Sequence, residues 1–207
     1  MISAAWPLVL SVAVLAALLF FLHYPLAALV PLSASVAIAL FFRDPERTVP
    51  AGEDLVVAPA DGKVVEVRPA SESVEPRVAI FLSLFNVHVN RSPVAGTVRS
   101  VVYRAGSFRP AWEAEASSSN ERNSLELEGP GGRFGVAQIA GLVARRIHCF
   151  KKEGDAVARG ERIGYIAFGS RTELTLPPRA VILVRVGDHV RGGESVIARL
   201  TTGKERA

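Results

Sequence analysis

The chain has 207 residues and a formal net charge of +4, and four of its 24 basic residues are lysines, leaving 20 arginines. One cysteine, Cys149, excludes an intramolecular disulfide and a zinc site made of cysteines. Basic residues are scattered among acidic ones without a helix-turn-helix, zinc-finger or aromatic-basic repeat, which argues against nucleic acid. The arginine bias instead fits phosphate groups, such as those of anionic lipid headgroups, to which the guanidinium fork is matched.

No Asp, Glu, Lys or Arg precedes Arg43. Roughly 20 apolar residues cross a bilayer as a helix, so residues 1–42 have room for two passes. Ala4–Leu22 and Tyr24–Phe42 are the expected helices, with His23, Tyr24 and Pro25 as the turn of a hairpin in or across the membrane. Pro7 and Pro31 leave a shallow re-entrant anchor as the alternative to spanning. A secretory signal peptide is disfavoured, because the leading positive charge is missing and the apolar stretch is too long. Arg43 and Arg47 follow the apolar block, which places the charged part of the chain on the cytoplasmic face of a cell membrane.

Residues 43–207 suffice for one domain with its own core. Val64–Val67, Val78–Leu82, Val98–Tyr103 and Ala180–Val186 are short β-branched runs bounded by Gly, Pro and Asp, and they read as strands. Phe108–Ser118 is the strongest helix candidate, with a partly mobile loop as the alternative, ending at Ser117-Ser118-Ser119-Asn120. Two internal echoes sharpen the expectation. Pro59-Ala60-Asp61-Gly62-Lys63-Val64 matches Pro93-Val94-Ala95-Gly96-Thr97-Val98 at Pro, Gly and Val, and Gly154-Asp155-Ala156-Val157 matches Gly187-Asp188-His189-Val190. Two copies are too few for a solenoid, so the fold expected is mainly β, a pseudo-symmetric sandwich or barrel. The Gly-Asp-x-Val-x-x-Gly turns look like those of lipoyl and biotinyl carrier domains.

Gly169-Ser170 carries the most chemistry. Gly-Ser is by itself a common turn pair. A serine after glycine can also attack the preceding carbonyl, since glycine permits strained angles and close approach, provided that a base activates the weakly nucleophilic hydroxyl. The amide then becomes an ester, elimination leaves dehydroalanine, and hydrolysis gives a pyruvoyl group and ammonia.

The apolar lead, Phe41-Phe42-Arg43-Asp44-Pro45, Pro59-Ala60-Asp61-Gly62, Asn86-Val87-His88-Val89-Asn90, Asn120-Glu121-Arg122-Asn123, Gln138-Ile139-Ala140-Gly141 and Phe168-Gly169-Ser170 together resemble the phosphatidylserine decarboxylases, in the short (type A) form whose proenzyme cuts itself at Gly-Ser. The resemblance implies a large subunit, 1–169, and a small one, 170–207, capped by a pyruvoyl group derived from Ser170. It also implies that this group forms a Schiff base with the amine of phosphatidylserine in the membrane; no metal is expected, because no histidine has ligand partners at metal-binding spacing. His88 is the expected base and Asp61 the partner that holds its imidazole, as in a Ser-His-Asp triad. Longer members carry His-x-x-His-x-Pro, whereas this chain has His88-Val89-Asn90-Arg91-Ser92-Pro93. Arg91 stays protonated and cannot be a base, so it and Asn86 are expected to touch substrate. His23, His148 and His189 lack neighbours at metal-ligand spacing and read as structural or surface residues.

Two other functions compete. A membrane-tethered lipoyl or biotinyl-type carrier would need a lysine at an exposed hairpin tip, and none of the four lysines is so placed. A pyruvoyl decarboxylase of a soluble amino acid would not require the apolar lead. Homo-oligomerisation stays open.

Overall fold

Two helices, α1 (Trp6–Phe21) and α2 (Pro25–Phe41), open the chain in a computed structural model that describes residues 2, 5–71, 74–110, 116–142, 146–167 and 169–201. Pro7 lies in the first turn of α1, where no helical N–H is lost, and Pro31 lies inside α2. His23 takes a left-handed φ of 63° in the turn, and α2 starts at Pro25, one residue after the expected Tyr24. Ser35 Oγ donates to the Val9 carbonyl at 3.0 Å, joining the helices. Both helices are apolar on every side: Leu26 is 81% and Phe21 77% exposed. They are shorter than expected at both ends, with 16 and 17 residues, and no helix among the described residues is long and apolar enough to cross a membrane. Residues 3–4, part of the expected first helix, lie outside the described residues. This helical unit, Met1–Glu46, is compact in itself, as is the second unit, Arg47–Ala207.

The second unit is mainly β. In chain order it runs β1 (Leu55–Val57), β2 (Gly62–Arg68), β3 (Arg77–Leu82), β4 (Val89–Arg91), β5 (Gly96–Arg104), one helical turn α3 (Ala116–Ser119), β6 (Arg122–Gly129), β7 (Gly132–Ile139), β8 (Ile147–Cys149), β9 (Ala156–Val157), β10 (Arg162–Ile166), β11 (Ser170–Thr175), β12 (Ala180–Ile182), β13 (His189–Val190) and β14 (Val196–Leu200). A curled eight-stranded sheet has the order β13-β2-β3-β11-β7-β6-β5-β9, and two three-stranded sheets have the orders β1-β14-β12 and β4-β10-β8. Val64, Ile80, Leu125, Phe134 and Leu174 of the large sheet share one core with Val56, Ile163 and Ile197 of the small ones.

The sequence echoes are a structural two-fold repeat. β2 pairs with β13 through Lys63–His189 and Gly62–Val190, and β5 pairs with β9 through Thr97–Ala156 and Gly96–Val157. Both long strands bulge at the same place, after Val64 in β2 and after Val98 in β5. Val64 N–H donates to the Asp188 carbonyl at 2.8 Å, and Val98 N–H to that of Asp155 at 2.9 Å. The two halves clasp each other reciprocally, Arg91 N–H donating to Pro59 O and Val57 N–H to Pro93 O. Gly62 and Gly96 are required for close approach: a Cβ at either would collide with a neighbouring carbonyl oxygen, that of Phe81 or of Glu128.

Two predicted elements differ from those observed. The expected strand Ala180–Val186 is strand only to Ile182, because the chain then turns at Arg185–Asp188 to start the Gly-Asp motif. Of the expected helix Phe108–Ser118, the described residues are helical only at Ala116–Ser118, within the turn Ala116–Ser119. Phe108–Pro110 are irregular, since Asn120 takes both the N–H and the carbonyl of Arg109 through its side chain, and residues 111–115 lie outside the described residues.

Candidate active site

β11 lies between β3 and β7, and its first residue, Ser170, sits opposite Leu82 of β3. Side chains alternate along a strand, so Ser170, Thr172 and Leu174 face the core while Arg171 and Glu173 face the other way. Ser170 is fully buried, and its Oγ has no hydrogen-bond partner among the described residues. A buried unsatisfied hydroxyl costs about 1–3 kcal/mol, so a core position for this oxygen calls for an explanation. Gly169 has φ 60°, a left-handed conformation that strains other residues, and a Cβ there would meet no atom within 4 Å. Phe168, part of the predicted motif, lies outside the described residues.

An uncharged hydrogen-bonded chain leads to this strand. Asn123 Nδ2 donates to Gln138 Oε1 at 3.0 Å, Gln138 Nε2 to Asn90 Oδ1 at 2.9 Å, and Asn90 Nδ2 to Thr172 Oγ1 at 3.1 Å. All four residues are buried. The sequence offers Asn90, Asn123 and Gln138 only as parts of motifs; their shared role depends on β4 crossing the inner face of the large sheet.

His88 precedes β4 and is buried. Its carbonyl accepts the N–H of Ile166 at 3.2 Å, which fixes the segment leading into Gly169-Ser170 beside it. His88 Nδ1 lies 2.9 Å from the carbonyl oxygen of Asn86. With its proton on Nδ1, the imidazole donates to that carbonyl and Nε2 is the basic nitrogen. Asn86 also locks the turn before His88: its Oδ1 accepts from the Ser83 N–H at 2.9 Å and from Ser83 Oγ at 2.7 Å. The side-chain oxygen expected to meet substrate is thus used within the turn.

Asp61 does not hold His88. Its carboxylate accepts two hydrogen bonds from Arg47 Nη2, at 3.0 and 2.8 Å, and one from the Gly192 N–H at 2.8 Å. The physical reason is local: a carboxylate in a tight turn of the first repeat is reached by the buried guanidinium of Arg47, which also lies 3.4 Å from Glu194. The sequence shows Arg47 only as a charge after the apolar block. Arg91 is no surface charge either; it is buried, and its Nη1 donates to the Gly160 carbonyl at 3.0 Å.

The outer face of β11 carries an ionic network. Arg171 Nε meets Glu173 Oε1 at 2.9 Å and its Nη2 meets Glu66 Oε2 at 2.5 Å, while Arg77 bridges Glu66 and Glu173 at 2.7 and 3.3 Å. Ser117 Oγ donates to Glu173 at 2.6 Å, so α3 covers this face. Burial pushes the Glu66 carboxyl up, but Arg77 and Arg171 outweigh it and hold the group below its ordinary value of 4.5. Burial also lowers Arg122, with Glu173 opposing it and Arg77, Arg104 and Arg171 adding repulsion.

His148 stacks on Tyr165 with ring centroids 4.4 Å apart, and burial and Arg146 push its pKa down. His23 lies in the turn between α1 and α2, and His189 opens β13, paired with Lys63 of β2. Among the described residues no three His, Cys, Asp or Glu side chains cluster to hold a metal ion.

Residues 36–198 match the family model described as phosphatidylserine decarboxylase, a span that takes in every strand through β13 and most of β14. A protein named phosphatidylserine decarboxylase proenzyme from Nitratidesulfovibrio vulgaris (strain Hildenborough) is 49% identical over 164 residues, covering 77% of this chain and 76% of its own.

Proposed function

Because the chain belongs to the phosphatidylserine decarboxylase family and is a carboxy-lyase, we propose that it cuts itself between Gly169 and Ser170 and then converts phosphatidylserine to phosphatidylethanolamine and carbon dioxide. The observation that carries the reading is the buried Ser170 Oγ, without a hydrogen-bond partner among the described residues, next to a left-handed glycine at the start of a central strand. Ser170 Oγ attacks the Gly169 carbonyl carbon, the Gly169–Ser170 C–N bond breaks, and an ester and a free amine result. Removal of the Ser170 Hα expels the Gly169 carboxylate and leaves dehydroalanine. Water then replaces the nitrogen, releasing ammonia and leaving a pyruvoyl group on the small chain.

His88 is the base for the first step, with Asn86 holding its ring. The pyruvoyl group fits the site because it is made from an atom set already there, and it supplies a carbonyl that accepts the electron pair released with carbon dioxide. During turnover His88 holds the proton that replaces the lost carboxyl group. The Asn123–Gln138–Asn90–Thr172 chain keeps the strands around Ser170 in register without adding charge. Asp61 and Arg91 serve the scaffold, clamping the first-half turn to Arg47 and β4 to Gly160. The apolar helices α1 and α2 hold the enzyme at a membrane, with the β unit on the cytoplasmic side.

Intact mass under denaturing conditions tests the reading. Two chains are expected, the shorter beginning at position 170 with a blocked, pyruvoyl terminus, and Ser170→Ala should give one full-length, inactive chain. An active wild-type protein that remains one chain of 207 residues would overturn it.

A further inference from the structure

The strand ends around Ser170 gather at one end of the large sheet. β3 ends at Leu82, opposite Ser170, and β7 ends at Ile139, opposite Arg171. A small cluster of Ala140, Ile166, Phe108 and Ile147 closes this end. The turn that follows β3 presents Leu84 and Phe85 to solvent, 51% and 87% exposed, and Leu142, 57% exposed, follows β7. Arg109 and Arg146, next in sequence to Phe108 and Ile147, are exposed at the same end and form no ion pair among the described residues. At the opposite end, by contrast, Arg133 pairs with Glu126 and Glu128, and Arg99 with Glu128.

The Leu84-Phe85 tip is built rather than slack. Asn86 closes the turn from both sides, through its N–H to Ser83 O and its Oδ1 to Ser83 N–H and Oγ. An isolated exposed leucine needs no explanation, but two adjacent large apolar side chains on a hydrogen-bonded turn, with exposed arginines at the same end of the sheet, have the composition of an element that sits at a lipid interface. We infer that the Leu84-Phe85 turn inserts into the interfacial region of an anionic bilayer, seating the Ser170 end of the β unit on the membrane independently of α1 and α2. The inference rests on the proposed lipid substrate: a headgroup must reach a buried Ser170 from a bilayer, and this end of the sheet is where Ser170 lies. Because Asn86 also holds His88 Nδ1, the turn that meets lipid is the one that orients the proposed base.

Depth-dependent quenching tests the insertion directly. In full-length protein with Cys149→Ser, a fluorophore is placed through Phe85→Cys or, as a control at the far end, through Arg133→Cys, and the protein is added to vesicles of phosphatidylcholine and phosphatidylglycerol with and without brominated chains. Bromolipid quenching at position 85 and none at 133 is expected; equal behaviour at both overturns the inference. Kinetics give a second, independent arm. Leu84→Ser/Phe85→Ser should mature into two chains as the wild type does and turn over a dispersed short-chain phosphatidylserine equally, while its apparent KM on vesicles rises about tenfold. An unchanged vesicle KM, or equal losses on both substrates, sinks the idea. So does a wild-type dimer in detergent that the double variant loses, since the turn would then be covered by a second copy. Failure of the underlying reading looks different: the wild type itself would neither mature nor release carbon dioxide.

Discussion

β1 and β4 occupy equivalent places in the two halves of the β unit, yet one reads Leu55-Val56-Val57 and the other Val89-Asn90-Arg91. The residue before β1 is Asp54, half-exposed and paired with Arg199 at the surface; the residue in the corresponding place before β4 is the buried His88. Position 61 carries a clamped aspartate, and its counterpart is the exposed Ala95. The backbone is therefore doubled while the chemistry is single. The first half shows what the fold needs, and His88 and Asn90, where the second half departs from it, mark what the proposed site needs.

Breaking the difference at His88 should have the largest effect. His88→Ala is expected to slow appearance of the two-chain product by roughly a hundredfold or more, the usual worth of a positioned base. Processing at the wild-type rate with lost carbon dioxide release would assign His88 to turnover alone.

Asp61→Ala makes the first turn resemble the second. It leaves the Arg47 guanidinium, whose side chain is 7% exposed, with only the longer contact to Glu194, and should destabilise the β unit by about 2–4 kcal/mol in denaturant unfolding. The reciprocal Ala95→Asp, at an exposed site, should cost less than about 0.5 kcal/mol. If both changes cost the same, the asymmetry assigned to Arg47 is wrong.

Asn90→Val gives β4 the residue that β1 has at Val56. Gln138 Nε2 and Thr172 Oγ1 lose their bonds, for an expected loss of about 1–3 kcal/mol and slower maturation. Val56→Asn, which buries an amide where the first half has no polar chain, should cost roughly 2 kcal/mol or more. A neutral Asn90→Val would show that the chain beside Ser170 is not needed.

The smallest effect concerns Glu66, whose counterpart in the other half is Ser100. Its folded carboxyl titrates below 4.5, so the stability it contributes is fully present above about pH 4.5 and is lost as pH falls through the lower folded value. Glu66→Gln should therefore be less stable at neutral pH and show a shallower loss in acid. Parallel acid limbs for the two proteins would remove Glu66 from the account.

The repeat was legible in the sequence because Gly62, Gly96, Gly154 and Gly187 mark close approaches and turns that few residues other than glycine allow. β2, β3 and β5 were legible from β-branched alternation. Gly169-Ser170 was legible as a candidate cleavage site, and its company came from family resemblance. Partner choice was not legible: Asp61 meets Arg47 and His88 meets the Asn86 carbonyl because of how the chain turns locally, and residue identity and spacing carry no record of it. Buried Arg171 and Glu173 were equally hidden, because charges on a strand's outer face ordinarily read as solvated, and only α3 and the arginines across β3 reveal that they are covered.

The position of β11 has a bearing on what a cut there would mean. Every strand after position 169 is hydrogen-bonded to one before it: β11 to β3 and β7, β13 to β2, and β14 to β1, with β12 joined through β14. A break before Ser170 would nick the polypeptide without freeing either fragment, because separation requires pulling a central strand out of a sheet and exposing Leu174, Leu176 and Ile197. The 38-residue fragment (207 − 169) holds too little apolar surface to fold alone. Maturation would then be irreversible for the fold as well as for the peptide bond. The cut enzyme would persist only because its chain folded while still whole, and once unfolded its fragments would have to find each other as two molecules.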